Sequence, residues 1–301
     1  MMDKTDDARG DATPQANGFR ESLGSSDSFG SLGPLGTQHA LRRVAAVRWT
    51  AGTPQPTDEM VIEETPIALV FNLRAHAVMM ATPADLHDFA VGFALTEELV
   101  GEVGEITHVE VVRHAGGIDL QLTVSADIAE RIGTRARRMT GRTGCGICGA
   151  DTVAEVLKSR HAVRDGGPIR ATAVHTALAA LRAHQLLNQE SGAVHAAAFA
   201  TRDGSLQLVR EDVGRHNALD KLIGALALRG TDAATGMIVV TSRASFEMVQ
   251  KATVIGAPLL AAISGPTALA VRVADAAGLT LLGFARDGGQ VVYTHPERLI
   301  P

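Results

Sequence analysis

The chain has 301 residues, 46% of them hydrophobic and 20% charged, with a net charge of −5. Such a composition supports a substantial core and excludes global disorder. The acidic balance and the scarcity of aromatics (8 Phe, 1 Tyr, 1 Trp) disfavour a nucleic-acid binder.

Nowhere does an apolar run approach the roughly 18 residues of a membrane span. There is no secretory apolar core near the start, and the chain has only 2 Cys. The expectation is a cytoplasmic protein with reduced thiols and no membrane association.

Residues 1–38 are rich in Ser, Gly, Asp and Thr and are expected to form a disordered tail. A smaller α+β unit is expected over 39–126, with strands at 44–49, 61–64 and 66–72. A helix is predicted after Thr82-Pro83-Ala84-Asp85, with Thr82 as N-cap and Pro83 in the first helical position. It runs through Phe89, Phe93 and Leu95 to about residue 100, where Gly101 stops it. Strands at 106–113 and 118–124 read as a hairpin about Gly116-Gly117. Residues 127–170 hold an Arg-rich segment and a glycine-rich, Cys-containing loop, expected to be exposed and mobile.

The remainder, 171–301, alternates more cleanly. A helix is predicted over 172–188, then strands at 193–201 and 205–210 about the turn Arg202-Asp203-Gly204. Helices at 217–228, 245–255 and 267–277 alternate with strands at 237–241, 258–263, 279–284 and 291–294. This alternation predicts a layered α/β domain.

The sharpest chemical signal is Gly144-Cys-Gly-Ile-Cys-Gly149, which contains both cysteines. Flanking glycines leave Cys145 and Cys148 accessible. The preceding Arg131, Arg135, Arg137, Arg138 and Arg142 favour the nucleophilic thiolate. A zinc site needs about four ligands, and two thiols supply half; His114 and His161 lack tight ligand spacing, so no metal is expected. A thioredoxin-like redox pair is a competing reading, as is a pair of incidental thiols.

Gly214 precedes a helix whose first turn carries Arg215 and His216. Free N–H groups and two cations there suit an anion; alternatively Arg215 pairs with Asp212 or Asp220. At Thr241-Ser-Arg-Ala-Ser245 a buried strand gives way to a helix, where ligands of open α/β sheets gather. Arg243 there is a candidate phosphate clamp, against the simpler reading of Ser242 or Ser245 as a helix cap. Ser264-Gly-Pro-Thr267 repeats that arrangement. Phe284-Ala-Arg-Asp-Gly-Gly289 links the last strands and alone reads as an ordinary hairpin loop. His195, on an apolar run, is expected to be a hydrogen-bonded core histidine.

Together these stretches resemble the formate dehydrogenase accessory protein family, FdhD. The resemblance rests on Arg142-Thr-Gly-Cys-Gly-Ile-Cys-Gly149, His195-Ala-Ala-Ala-Phe199, Glu211-Asp-Val-Gly-Arg-His-Asn-Ala-Leu-Asp-Lys-Leu222, Thr241-Ser-Arg-Ala-Ser-Phe-Glu-Met-Val-Gln-Lys251, Ser264-Gly-Pro-Thr-Ala-Leu-Ala270 and Tyr293-Thr-His-Pro296. It implies a sulfur carrier. A cysteine desulfurase loads Cys145 with a persulfide, with Cys148 as the second cysteine. The sulfur then passes to the bis-molybdopterin guanine dinucleotide molybdenum cofactor, bound as substrate, for the formate dehydrogenase catalytic subunit.

The implied cofactor stretch is Phe284, Ala285, Arg286, Asp287, Gly288 and Gly289, joined by Arg243, Arg215, His216 and His195 as candidates. Some relatives carry a basic residue near the end of that stretch. Here it ends in two glycines, and Arg286 is the substitute candidate. The resemblance also implies a homodimer and a cytidine-deaminase-like C-terminal domain beside the smaller N-terminal unit. The deaminase signature His-x-Glu is His195-Ala-Ala197 here, and Thr241–Ser245 holds no thiol, so deamination lacks its residues. Two other functions compete: a dithiol oxidoreductase and a non-catalytic cofactor chaperone.

Overall fold

The structure, a computed structural model, describes residues 39–139 and 161–301. The expected tail and the loop bearing Cys145 and Cys148 lie outside the described residues. Strands β1 (Leu41–Thr50) and β2 (Thr53–Ile62) form an antiparallel hairpin. Next, β3 (Thr65–Phe71), β4 (Arg74–Ala81), β5 (Ile106–His114) and β6 (Gly117–Val124) form a sheet ordered β4-β3-β6-β5. The hairpin about Gly116-Gly117 is as expected, whereas β4 had no clear sequence signal. Its residues, Arg-Ala-His-Ala-Val-Met-Met-Ala, include one β-branched side chain, and pairing with β3 makes the strand.

Helix α1 (Leu86–Thr96) starts later than its capping residues suggest. Asp85 sits at the N-cap in a left-handed conformation. Thr82 is buried, and its hydroxyl accepts from the Val213 N–H at 3.1 Å. Its own N–H donates to the Asp212 carboxylate at 3.0 Å. The predicted cap is therefore a tie to the C-terminal half. The helix also ends before residue 100, because Glu98 turns left-handed with φ 52°. Helix α2 (Ala126–Met139) contains Arg131, Arg135, Arg137 and Arg138, and Arg142 lies outside the described residues.

The second half begins with β7 (Ile169–Arg170), α3 (Ala171–His184) and α4 (Leu186–Ser191). The single helix expected over 172–188 breaks at Gln185, whose ψ of 74° is not helical. Strands β8 (His195–Thr201) and β9 (Leu206–Asp212) precede α5 (Arg215–Arg229). They are followed by β10 (Gly236–Val240), α6 (Phe246–Val254), β11 (Leu259–Ala262), α7 (Ala268–Ala277), β12 (Thr280–Arg286) and β13 (Gly289–Val292). A short β14 (Leu299–Ile300) pairs in parallel with β7.

The large sheet is ordered β13-β12-β11-β10-β8-β9. Strands β10, β11 and β12 are parallel, and β8, β9 and β13 run antiparallel to their neighbours. Strand alternation divides its side chains between two faces. Ala196, Ala198, Val239, Ala261 and Leu282 pack with Val174, Ala177 and Leu181 of α3. Ala197, Phe199, Ile238, Val240 and Leu260 are equally buried and occupy the opposite face, toward α5. The chain is thus a mixed α/β protein.

Helix α1 lies on the outside of α5, and the two cross almost backbone to backbone. A Cβ on Gly92 would stand 1.7 Å from the Asp220 carbonyl oxygen, and one on Gly224 would stand 1.9 Å from that of Asp88. Only glycine fits either position. Buried ion pairs flank the crossing. Lys221 Nζ meets Asp212 at 2.7 Å with both side chains 0% exposed, and Lys251 meets Asp220 at 2.9 Å.

Candidate functional site

The topology brings most candidate residues to one edge of the large sheet. Strand β8 starts at His195, directly opposite Asp212 at the end of β9. The parallel strands β10, β11 and β12 finish at the same edge, and α5, α6 and α7 begin there. Ligands of open α/β sheets bind outside such strand ends. Thr241 lies beside the start of β8, its N–H donating to the Ala196 carbonyl at 3.0 Å.

On the α3 face this edge holds a cavity of about 620 Å³. One wall is the end of α3 and the break after it, with Arg182, Gln185 and Asn188. The strand ends contribute His195, Thr241 and Ile263. The turn between β12 and β13 closes it with Ala285, Arg286, Asp287 and Gly288.

That turn is built by its sequence. Asp287 and Gly288 both have positive φ, 53° and 76°, between the paired Arg286 and Gly289. This is the two-residue primed hairpin turn that Asp-Gly favours. Just before it the pairing register shifts between Gly283 and Arg286, and Phe284 adopts φ 50°. A bulge of this kind re-aims side chains. Ala285 is buried toward α3, whereas Phe284 is 44% exposed, its ring so close to Gly265 that a Cβ there would stand 2.7 Å from Phe284 Cζ. Phe284 and Gly289 are therefore outside the cavity lining, and Arg286, Asp287 and Gly288 are in it.

Arg215 and His216 lie at the same edge, in the first turn of α5. Neither pairing considered for Arg215 forms. Asp212 is held by Lys221 and by the N–H groups of Thr82 and Gly214, and Asp220 by Lys251 and the Thr96 hydroxyl. Among the described residues, Arg215 Nε is buried without a hydrogen-bond partner, and so is the Ser245 hydroxyl. Ser245 occupies the N-cap position of α6 but makes no capping bond, whereas Thr267 caps α7 by accepting from the Ala270 N–H at 3.2 Å.

His216 Nε2 stands 3.0 Å from Glu247. Burial alone would raise the Glu247 carboxyl. The hydrogen bond and charge of His216, with Arg215 and Lys251, outweigh it and hold it below the ordinary range. His195 titrates below its ordinary value, first because burial disfavours the cation, then because Arg215 and His216 repel it. A His195 that resists protonation beside the Arg215 guanidinium is consistent with an edge arranged to receive negative charge. Arg243 is exposed beyond β10.

The other charges of the 210–221 stretch serve the fold. Arg210 pairs with Asp88 at 2.6 Å, and Glu211 accepts from the N–H groups of Leu187 and Asn188 at 2.8 and 3.0 Å, fixing the start of α4. The sequence reading missed Arg182, Gln185 and Asn188. Their one signal was a polar Gln185 in a stretch whose apolar face is buried.

The opposite edge receives the chain returning from the cysteine-bearing segment. His161 Nε2 lies 2.9 Å from Glu98, and the Val163 N–H donates to Ala277 at the end of α7. Arg298 anchors the same edge, donating to the carbonyls of Pro258 and Gly278 and pairing with Asp165. Among the described residues no cluster of His, Cys, Asp and Glu suits a metal ion, and no helix is long and apolar enough to cross a membrane.

The model of the FdhD/NarQ family matches residues 62–300. The chain belongs to the FdhD/NarQ family. It is 52% identical over 266 residues to a sulfur carrier protein FdhD of Bordetella petrii, covering 88% of this chain and 96% of that protein. A protein of the same name from Cupriavidus necator is 48% identical over 255 residues, covering 85% and 88% of the two chains. A crystal structure of a protein from Desulfotalea psychrophila, assigned as a formate dehydrogenase accessory protein, superposes with a TM-score of 0.70 at 24% identity. It covers 87% of this chain and 100% of that one, which supports the fold.

Proposed function

We propose that the protein carries sulfur for formate dehydrogenase. The observation that carries this reading is membership of a family whose curated relatives are named sulfur carrier protein, in a chain that retains the Cys145 loop. Cys145 thiolate attacks the outer sulfur of a cysteine desulfurase persulfide. A new S–S bond forms on Cys145, the desulfurase S–S bond breaks, and its cysteine leaves as thiolate. The sulfur is then delivered to the bis-molybdopterin guanine dinucleotide molybdenum cofactor, the substrate of the transfer: the Cys145 S–S bond breaks, Cys145 leaves as thiolate, and the two electrons that take the sulfane sulfur to sulfide come from the molybdenum centre. Its nucleotide portion is assigned to the edge formed by His195, Arg215, His216, Arg243 and the 285–288 turn, with Arg286 as the phosphate contact. The charges there favour an anion, and arginine suits phosphate.

Cys148 is assigned to release or protection of the persulfide. The 13 residues from Cys148 to His161 span at most about 45 Å when extended, and the strands of the large sheet, up to 7 residues long, about 23 Å. Chain length therefore permits loading and delivery at different edges. The domain after residue 170 is read as deaminase-like. Thr241 and Ala196 adjoin where a zinc deaminase would bring its motifs together, but Ala197 and 241–245 supply neither the glutamate nor the thiols. A cytoplasmic homodimer is the assembly we assign, to be tested by sedimentation.

Mass spectrometry after incubation with a desulfurase and cysteine tests the relay. One added sulfur on the Cys145 peptide is expected. Loss of two hydrogens would instead make the pair a dithiol oxidoreductase, and an unchanged mass would leave a non-catalytic chaperone.

A further inference from the structure

The hairpin of β1 and β2 is a ribbon with two unlike faces. Directly paired residues of an antiparallel ladder share a face. Val47 pairs with Pro56 and Trp49 with Pro54, so these four lie together toward the tip. At the base the same face continues into Leu41 and Ile62, which pack on Ala84, Leu187 and Val194. Toward the tip the opposite face is polar, with Gln55, Thr57 and the Arg48–Glu59 pair at 2.6 Å. The apolar face is thus covered at the base and bare at the tip, where Trp49 is 68% and Val47 58% exposed. A two-stranded ribbon with no layer packed on it is marginal in water, and a bare apolar patch of this kind marks an interaction surface.

Charge and area both fit a second copy of this chain. Arg43 and Asp58, on the same face, lie 3.8 Å apart and balance each other. A two-fold axis through the face brings Arg43 of one copy toward Asp58 of the other, as a self-complementary contact requires. Pro54 and Pro56 lack N–H groups, which discourages strand addition along the outer edge of β2. Trp49 alone offers roughly 150 Å², and the whole face on the order of 700 Å². Two such faces stacked bury about 1,400 Å², inside the roughly 1,200–2,000 Å² of specific interfaces. We propose that the apolar face of the β1–β2 ribbon is a dimer interface, stacked on the same face of a second copy. The inference deepens the homodimer assigned above and rests on it.

The chain has 1 Trp, so its fluorescence reports this face alone. The test is sedimentation of the full chain over a dilution series, with Trp49 emission recorded at each concentration. Wild type is expected to be a dimer with blue-shifted emission that moves to the red as the dimer dissociates. Val47→Glu buries a charge in the contact from both copies. It should weaken dimerisation by about 100-fold or more and give red-shifted emission. Gln55→Glu adds the same charge to the opposite face and should dimerise as wild type does. Thermal melts establish that both variants are folded.

A dimer that Val47→Glu leaves intact, with Trp49 emission unchanged, overturns the ribbon as the interface while the homodimer stands. A wild-type monomer at all concentrations overturns both. In that case blue-shifted emission independent of dilution would assign the cover of this face to residues 1–38 of the same chain.

Discussion

Replacing Lys221 with Met tests how the candidate site is held in place. Lys221 and Asp212 are both 0% exposed and 2.7 Å apart, and Lys221 also donates to the Thr82 carbonyl at 2.9 Å. Methionine fills similar space but removes the charge, these two contacts and the longer one to the Glu211 carbonyl at 3.4 Å. Asp212 would then remain a buried carboxylate, supported by the N–H groups of Thr82 and Gly214 and by the Asn217 amide. Breaking a buried pair typically costs 3–5 kcal/mol, and the three remaining donors place this case near the lower end, about 3 kcal/mol. With an m-value of roughly 2–3 kcal/mol/M, the urea midpoint should fall by about 1–1.5 M, read by circular dichroism. The double replacement Lys221→Met, Asp212→Asn should cost less than the sum of the singles, because neither charge is left alone. A midpoint shift below about 0.3 M for Lys221→Met would refute the argument that this pair ties β9 to the Thr82 segment.

Two glycines should separate crowding from backbone strain. Gly224→Ala drives a Cβ toward the Asp88 carbonyl and should lose more than about 3 kcal/mol or fail to fold, whereas Gly288→Ala, at φ 76° with no atom within 4 Å, should lose only about 1–2 kcal/mol in the same urea assay. His195, its folded pKa depressed below 6.5, binds fewer protons than in the unfolded chain as pH falls. Its contribution is therefore fully present above about 6.5 and is lost as pH falls through the folded pKa; His195→Gln should flatten stability across that window, and an NMR titration midpoint at or above 6.5 would contradict the depressed value. Cys145→Ala should abolish activation of formate dehydrogenase with little change in melting temperature, and Cys148→Ala should be milder; full activation by the first variant would eliminate Cys145 as carrier.

What the sequence disclosed follows the range of the interactions concerned. The hairpin loop at 284–289, the helices expected over 217–228 and 267–277 and the α/β alternation depend on neighbours within a few residues, and all were legible. Thr82 reads as a helix cap by the same local rules, but its partners lie 130 and 131 residues away at Asp212 and Val213, and that tie wins. Gln185 gives almost no signal because its importance comes from the helix break and the cavity, neither of which its neighbours announce.

The charged stretch from Arg210 to Lys221 shows the same division inside one motif. Read as a string it suggests a single anion site. In the fold Arg210, Glu211, Asp212, Asp220 and Lys221 are consumed by Asp88, the start of α4 and two buried pairs. Arg215, with its buried Nε unpaired, and His216, paired with Glu247, remain at the edge where the parallel strands end. Buried charges that satisfy one another specify where the strand and helix meet, and that fixed junction gives Arg215 and His216 a defined position. Under the nucleotide assignment proposed above, Arg215 and His216 therefore depend on the structural part of the motif, so substitutions at Asp212 or Lys221 should weaken nucleotide binding without contacting the nucleotide.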